Sequence, residues 1–420
     1  VEFDPRAWNL LAGLALVNGC GERASSTDGA PTESSSESGP ECIAHADCPP
    51  GYLCNQGECW YPLSLDDYSS DPYYSPCRTD ADCEMLELCE YSDCDSVYTF
   101  APCDAIPSLL PPFEISEPVL ALAFVDVDDD AAEELVVATQ TQLHVFESGS
   151  PMPVSHARGS ESLGVHAMVG GAFDDVPGED VMLLHFDQLD LHVSDGLGNL
   201  APAIEMQSPY PDSRGLEPGS FDGQPTTDLL IWGEVSTGVR YGGGGTLGLL
   251  GGNVTSASAR DLGLPGNGFT ALRDGELLFV DIGGLTPFVL GTVSLYGDLP
   301  HAQTRFDGFG ETLELGSSQV AGWTLVQAFD RASASLLTQW GFPGTVTHMR
   351  TGELDGLDEV EDIALLVDDG LVLLVGGACQ LPVPLEGAAG ELVFGDHDGD
   401  GDDELAARVG TNLVSIVDVE

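Results

Sequence analysis

Val393-Phe394-Gly395-Asp396-His397-Asp398-Gly399-Asp400-Gly401-Asp402-Asp403-Glu404-Leu405-Ala406 carries the pattern on which the fold turns: a short apolar strand, an aspartate-led loop, and a second apolar strand. The phrase recurs upstream. Phe124-Val125-Asp126 leads to Glu134-Leu135-Val136-Val137, and Ala172-Phe173-Asp174 leads to Asp180-Val181-Met182. Ser220-Phe221-Asp222 leads to Asp228-Leu229-Leu230, and Glu353-Leu354-Asp355 to Asp362-Ile363-Ala364. Fainter copies lie near Arg273-Asp274-Gly275 and at Arg305-Phe306-Asp307-Gly308. Asp126, Asp174 and Asp222 are each 48 residues apart, as are Asp307 and Asp355. Seven copies at roughly 40–50 residues, all strand and turn, match one four-stranded blade each. The sequence therefore predicts an all-β chain with a seven-bladed β-propeller over residues 104–420, the weak repeats around 263–302 leaving six to eight blades open. A β-sandwich would not need equal spacing. A strand within Pro112–Glu117 is expected to complete the last blade, which otherwise stops at Val414–Val417, and so to remove a raw sheet edge.

The loop itself has a chemical logic. Asp396, Asp398 and Asp400 stand at positions one, three and five, with Gly401 at six and Glu404 at nine. Alternate residues of a tight loop turn their oxygens toward one spot, as in the opening half of an EF-hand loop, here set between strands. Carboxylates brought within about 4–5 Å repel by a few kcal/mol per pair at an effective dielectric of about 20, and a hard cation reverses that sign. Calcium, which accepts six to eight oxygens in irregular cages, suits such a loop better than magnesium. Asp126, Asp128, Asp130 and Glu134 repeat the spacing, with Ala131 where glycine would ease the turn. The alternative is an aspartate-rich turn that bonds its own backbone without metal. The copies at Asp174, Asp222 and Asp355 read as having lost the middle acids and mostly shortened the loop. Asp174/Asp180 and Asp222/Asp228 are therefore expected to tie the hairpin together.

At these phrases the chain resembles the FG-GAP and VCBS repeats of integrin alpha-subunit propellers and of many bacterial exported proteins, over roughly residues 106–420. The resemblance implies Ca2+ as the bound ion. It implies ligands Asp396, Asp398, Asp400 and Glu404 in one loop and Asp126, Asp128, Asp130 and Glu134 in the other. By the same pattern, Asp402 and Ala132 at position seven would each give a backbone carbonyl.

The preceding region is built differently. Ala7 to Val17 form an apolar run of signal-peptide length that ends in Val17-Asn18-Gly19-Cys20. This resembles a bacterial lipobox, with residues 1–19 removed and Cys20 lipidated, although Asn18 stands where a small residue is usual. Gly21 after the cysteine favours, by the same analogy, the outer membrane of a diderm cell. Residues 20–41, rich in Ser, Thr, Gly, Pro and Glu, read as a flexible tether. Residues 42–103 hold two copies of one cysteine-rich module: Cys42, Cys48, Cys54 and Cys59, then Cys77, Cys83, Cys89 and Cys94 at the same spacing. Units this short need cross-links, and gaps of five residues in an exported chain fit disulfides better than zinc. Four cysteines allow three pairings, and the sequence does not choose among them. Cys103 and Cys379 remain, and are expected to bridge the start of the main body to a late blade.

Charge narrows the partners. Seventy acidic residues face twelve basic ones, all arginine, for a formal net charge of −58. Such a surface repels phosphates and anionic head groups, so nucleic acid is not an expected partner and membrane contact is expected only through a lipid anchor. Without lysine there is no Walker-type loop and no Schiff-base residue. Gly242 to Gly245 reads as a turn between strands, and His144, His185 and His192 read as packed side chains. No catalytic constellation emerges, and catalytic or cofactor-binding residues are assigned to none. Three functions fit this inventory: a surface-displayed binding or adhesion scaffold for an extracellular protein or glycan, a calcium-assisted carbohydrate-binding lectin, and a polysaccharide-active enzyme on a propeller platform.

Overall fold

The computed structural model describes strand segments at 53–55, 58–60, 87–90 and 93–96, and then residues 101–419. Exceptions within the latter are 104–106, 131, 151, 160–163, 261–267, 283–287, 295–299, 309–310, 321–322, 331–335, 355–360, 369, 377–378 and 386–388. The chain divides into two units, Val1–Ser96 and Val97–Glu420. In the first, Leu53–Asn55 pairs antiparallel with Glu58–Trp60, and Glu87–Glu90 with Asp93–Ser96. The two registers match: Cys54 lies across from Cys59 and Cys89 across from Cys94. The expected signal segment, the lipidated Cys20, the tether and the cysteine pairings of the modules lie outside the described residues.

The second unit is a seven-bladed β-propeller, and its described elements are all strands. The first blade runs Ala121–Val125, Glu134–Ala138, Gln142–Phe146 and Val154–Ala157, each strand antiparallel to the next. The second and third follow the same meander, over residues 167–207 and 213–251. The fourth covers Val254–Ser294 and the fifth Pro300–Pro343. The sixth begins at Val346–Gly352 and the seventh at Ala389–Gly395. The first strand of every blade touches the first strand of the next, and Ala389–Gly395 of the seventh touches Ala121–Val125 of the first. The ring is closed.

Burial explains why this pattern of residues makes blades. Each second strand is covered on both sides by neighbouring blades, so it reads as an unbroken apolar run rather than an alternating one. Glu134–Ala138 and Asp180–His185 are buried at every position, whereas the outermost strand Val154–Ala157 is largely exposed. The two-residue period of the strand then sorts side chains between interfaces. Leu135 and Val137 pack with Ala406, Val414 and Ile416 of the seventh blade, while Val136 and Ala138 pack with Met168, Val181 and Leu183 of the second. Where inner strands approach most closely, only glycine fits: a Cβ on Gly395 would collide with Phe124 and with the carboxylate of Glu133.

Closure uses the segment before the first blade. Leu413–Val419 pairs antiparallel with Pro107–Leu109 and with Phe113–Glu114, so the expected completing strand exists and begins earlier than Pro112. Just upstream, Ala101–Pro102 adds in parallel to Cys379–Val383 of the sixth blade, and Cys103 forms a disulfide with Cys379. The expected bridge to a late blade is present.

One of the fainter copies is not an inner-loop repeat. Asp274-Gly275 does not follow an inner strand; it joins Gly268–Arg273 to Glu276–Asp281, the second and third strands of the fourth blade. Both residues have positive φ, 52° and 86°, as a two-residue hairpin of the primed type requires. Asp307 does lie at the end of the inner strand of the fifth blade. Gly242 to Gly245 form a turn between Ser236–Arg240 and Thr246–Gly251, with Gly244 and Gly245 at positive φ.

The Cys103–Cys379 bridge spans a sequence separation of 276, so in the chain-entropy view it removes much freedom from the unfolded chain. Replacing both cysteines by serine should lower stability by about 2–4 kcal/mol. The loss would appear as a lower denaturation midpoint, with the segment 107–114 gaining protease sensitivity before the blade interiors. An unchanged midpoint would show that the paired strands alone hold the closure.

Candidate metal centres

Backbone hydrogen bonds fix how the five clear loops correspond. The N–H of Val127 donates to Glu134 Oε2 (2.7 Å) and that of His397 to Glu404 Oε2 (2.6 Å). In the same place Phe173 donates to Asp180, Phe221 to Asp228 and Leu354 to Asp362. Val127, Phe173, Phe221, Leu354 and His397 are therefore equivalent. This overturns the alignment that the 48-residue spacing suggests. Asp174, Asp222 and Asp355 correspond to Asp128 and Asp398 at position three, not to Asp126 and Asp396 at position one. Counted in this frame, the loops at 172–180 and 220–228 are as long as 126–134 and 396–404, so they have not been shortened. What changed is chemistry. Position one is Ala172 or Ser220, position five is Val176 or Gln224, and position nine is aspartate instead of glutamate.

That last difference redirects an oxygen. In the second and third blades the position-nine aspartate, and in the sixth Asp362 one residue later because that loop is longer by one, uses one oxygen for its own loop and the other for an amide fourteen residues on. Ser194 donates to Asp180 (2.9 Å), Gly242 to Asp228 (2.8 Å) and Gly376 to Asp362 (2.6 Å). These acids tie the blade together, as the sequence suggested for Asp180 and Asp228. Asp174 and Asp222 each accept the amide two residues on, from Val176 and Gln224. Glu134 and Glu404 make no second bond of this kind among the described residues. Their longer arms instead reach the loop acids.

Asp126, Asp128 and Glu134 offer oxygens that all lie within 4.8 Å of one another, and so do Asp396, Asp398 and Glu404. Positions one, three and nine thus converge in both loops. Asp130 and Asp400 stand at the rim, where they accept the amides of Ala132 (2.7 Å) and Asp402 (3.1 Å). Gly399 and Gly401 donate to Asp396, and the amide of Asp130 donates to Asp126. The tight turn needs left-handed backbone at position four, where Asp129 has φ 60° and Gly399 φ 77°, and at Gly401 with φ 100°. The sequence reading placed the strain at position six alone.

The electrostatics are those of a site lacking positive charge. Among the described residues no arginine pairs with the six clustered acids. Burial, followed by repulsion from Asp128, Asp130 and Asp126, pushes the Glu134 carboxyl up to about 7. Burial with repulsion from Asp398, Asp418 and Asp396 pushes Glu404 up to about 8. Asp126 and Asp398 are raised for the same two reasons, burial first. Oδ1 of Asp128 is buried with no hydrogen-bond partner. A buried carboxylate oxygen left unpaired is costly, and a cation would satisfy it. All-oxygen donors with unequal spacing fit calcium.

Other residues flagged by sequence are structural. His144 bonds Ser155, His192 bonds the carbonyl of Ala201, and His185 bridges the Gly164 carbonyl and the buried Asp190. Burial holds His144 and His192 below the usual imidazole range.

No family model matches this chain, and no curated protein does. Solved structures match in fold. BBS1N in complex with ARL6DN aligns with a TM-score of 0.59 at 11% identity, covering 75% of this chain and 98% of that one. Streptogramin B lyase aligns at 0.52 and 10% identity, with the same coverages of 75% and 98%. The WD40 domain of coronin from Toxoplasma gondii aligns at 0.53 and 9% identity, covering 77% and 87%. At such identities the likeness is one of the propeller fold alone.

Two outcomes follow from this geometry. Glu404→Asp should keep the bond to the His397 amide, as aspartate does in three other blades, yet withdraw the second oxygen from the cluster. Calcium affinity measured by chelator competition should fall at least tenfold, with the metal-free melting temperature moved by only a few degrees. For the pH dependence, the folded carboxyls of Glu134 and Glu404 bind protons more tightly than in the unfolded chain. Metal-free stability should therefore fall as pH rises from about 4.5 to about 8. Melting of chelator-treated protein across that range checks the sign; a rise in melting temperature would contradict the site described.

Proposed function

We propose that the chain is an exported, lipid-anchored calcium-binding propeller that serves as a binding or adhesion scaffold at the cell surface. The observation that carries the calcium reading is the pair of equivalent loops in which three carboxylates converge without a counter-charge, the first of them leaving Asp128 Oδ1 buried and unpaired. The FG-GAP and VCBS resemblance of the same loops supports it. Export and anchoring rest on the lipobox-like Val17-Asn18-Gly19-Cys20, and the Cys103–Cys379 disulfide agrees with an oxidising compartment.

The scaffold reading draws on what the propeller offers. A structural neighbour, BBS1N, was crystallised in complex with another protein, ARL6DN, which illustrates one use of such a body. A cavity between the second and third blades, lined by residues such as Phe173, Met206 and Tyr241, holds only about 50 Å³, enough for a water or two rather than a sugar. A second, shallower one lined by Asp187, Gln188, Glu205, Met206 and Gln207 holds about 260 Å³. Calcium in the loops is then a structural ion, and the extracellular partner is a protein or a glycan.

Calorimetric titration of chelator-stripped protein should find two calcium ions per chain. An ion at a hundred times its dissociation constant stabilises by about 2.7 kcal/mol, so melting temperature should rise clearly on calcium addition. Neither heat nor thermal shift at millimolar calcium would defeat the reading. A glycan array run with and without chelator then separates a glycan partner from a protein one.

A further inference from the structure

The loops that gather the acids also join the blades. At four junctions the amide preceding the position-nine acid donates to the position-one carbonyl of the blade before it. Asp403 N–H reaches the Glu353 carbonyl (2.5 Å), and Glu133 N–H reaches that of Asp396 (2.6 Å). Glu179 N–H reaches the Asp126 carbonyl (2.6 Å), and Thr227 N–H that of Ala172 (2.7 Å). Two of these carbonyls belong to residues whose side chains enter the acidic clusters. They are Asp396, where the seventh blade meets the first, and Asp126, where the first meets the second.

Position two reinforces the same two junctions. His397 is buried, donates from Nδ1 to the Glu133 carbonyl (3.0 Å), and lies against the Phe124 ring at 5.8 Å between centroids. Val127 is buried, and its carbonyl accepts the hydroxyl of Ser194 in the second blade (2.5 Å). Glu133 therefore both gives to and receives from the seventh-blade loop. That loop cannot shift without breaking the contact between the last blade and the first.

We infer that the two acidic loops are cation-dependent latches on either side of the first blade, so that calcium closes the ring at the junctions it shares with the seventh and second blades. The inference rests on the calcium reading above and adds what the ion controls. Without a cation, mutual repulsion among the acids favours opening of the loop, and the position-one carbonyl loses its aim at the neighbouring amide. With one, the side chain of position one is fixed and its carbonyl with it. The second-to-third junction supplies an internal control, because Ala172 carries no acid and its loop has no cluster.

Hydrogen exchange on the full chain, read by mass spectrometry with calcium and with chelator, tests this. The Glu179 segment is the informative one: its own loop lacks the position-one and position-five acids, so ion binding within that loop cannot protect it. Chelation should speed its exchange at least tenfold while the Thr227 segment stays unchanged. Asp128→Asn, which leaves the Asp126 carbonyl in place, should reproduce the effect at Glu179 in the presence of calcium. If calcium binds by calorimetry and Glu179 exchanges at the same rate with and without it, the latch is overturned while the calcium reading stands. If no calcium binds, both fall together.

Discussion

A carboxylate at the first residue of the second strand in five of the blades is the constraint on which the repeat depends. That strand is buried on both faces, so its leading acid cannot reach open water and must find backbone amides instead. It finds the position-two amide in five blades, and so pins the inner hairpin at the end where the blades converge. Leaving such a group unpaired would cost a few kcal/mol, comparable to a large part of a domain's net stability. The repeat is thus held by a polar contact at one end and by apolar packing along the rest.

One methylene then divides structure from candidate function. Aspartate at this place is short, and both of its oxygens are drawn into backbone bonds within the blade. Glutamate reaches farther, satisfies the same amide, and has an oxygen left for the loop. Where position nine is glutamate, positions one, three and five all carry acids, whereas the second and third blades have none at positions one and five. The three changes are of one kind, since a spare oxygen without companion acids would hold no ion, and companion acids without a cation would only repel.

Seven blades were legible because strand-and-loop texture at a steady period admits few architectures, and Leu135–Val137 or Leu229–Ile231 read as short apolar strands. The frame was less legible. Asp126 and Asp174 each follow an apolar pair, and their spacing equals that from Asp174 to Asp222, yet they are two positions apart in the fold. The cause is that a metal-type loop bears aspartate at both positions one and three, so sequence offers two equally good origins. Asp274 misled for another reason, since aspartate-glycine serves a two-residue hairpin as well as an inner loop. The backbone interlocks at Glu133 and Glu179 left no sequence signal, because a backbone bond between blades constrains no side chain.

The closing devices are not scattered round the ring. The disulfide holds the sixth blade, the added strands complete the seventh, and the acidic loops belong to the seventh and first. Between the first and sixth blades the chain runs on from each blade to the next, so the partners that meet there are near in sequence. Where the early segment must meet the late blades, the partners are far apart in sequence, and the loop entropy of bringing them together is greatest. A cross-link, a borrowed strand and the Asp396 cluster each act near that seam, while the Asp126 cluster lies at the next junction, between the first and second blades. Two of the three are fixed once the chain has folded and oxidised, whereas in the latch proposed above the third would answer to the cation concentration. In that proposal, adjustable closure belongs to the two junctions of the first blade, with the seventh and with the second.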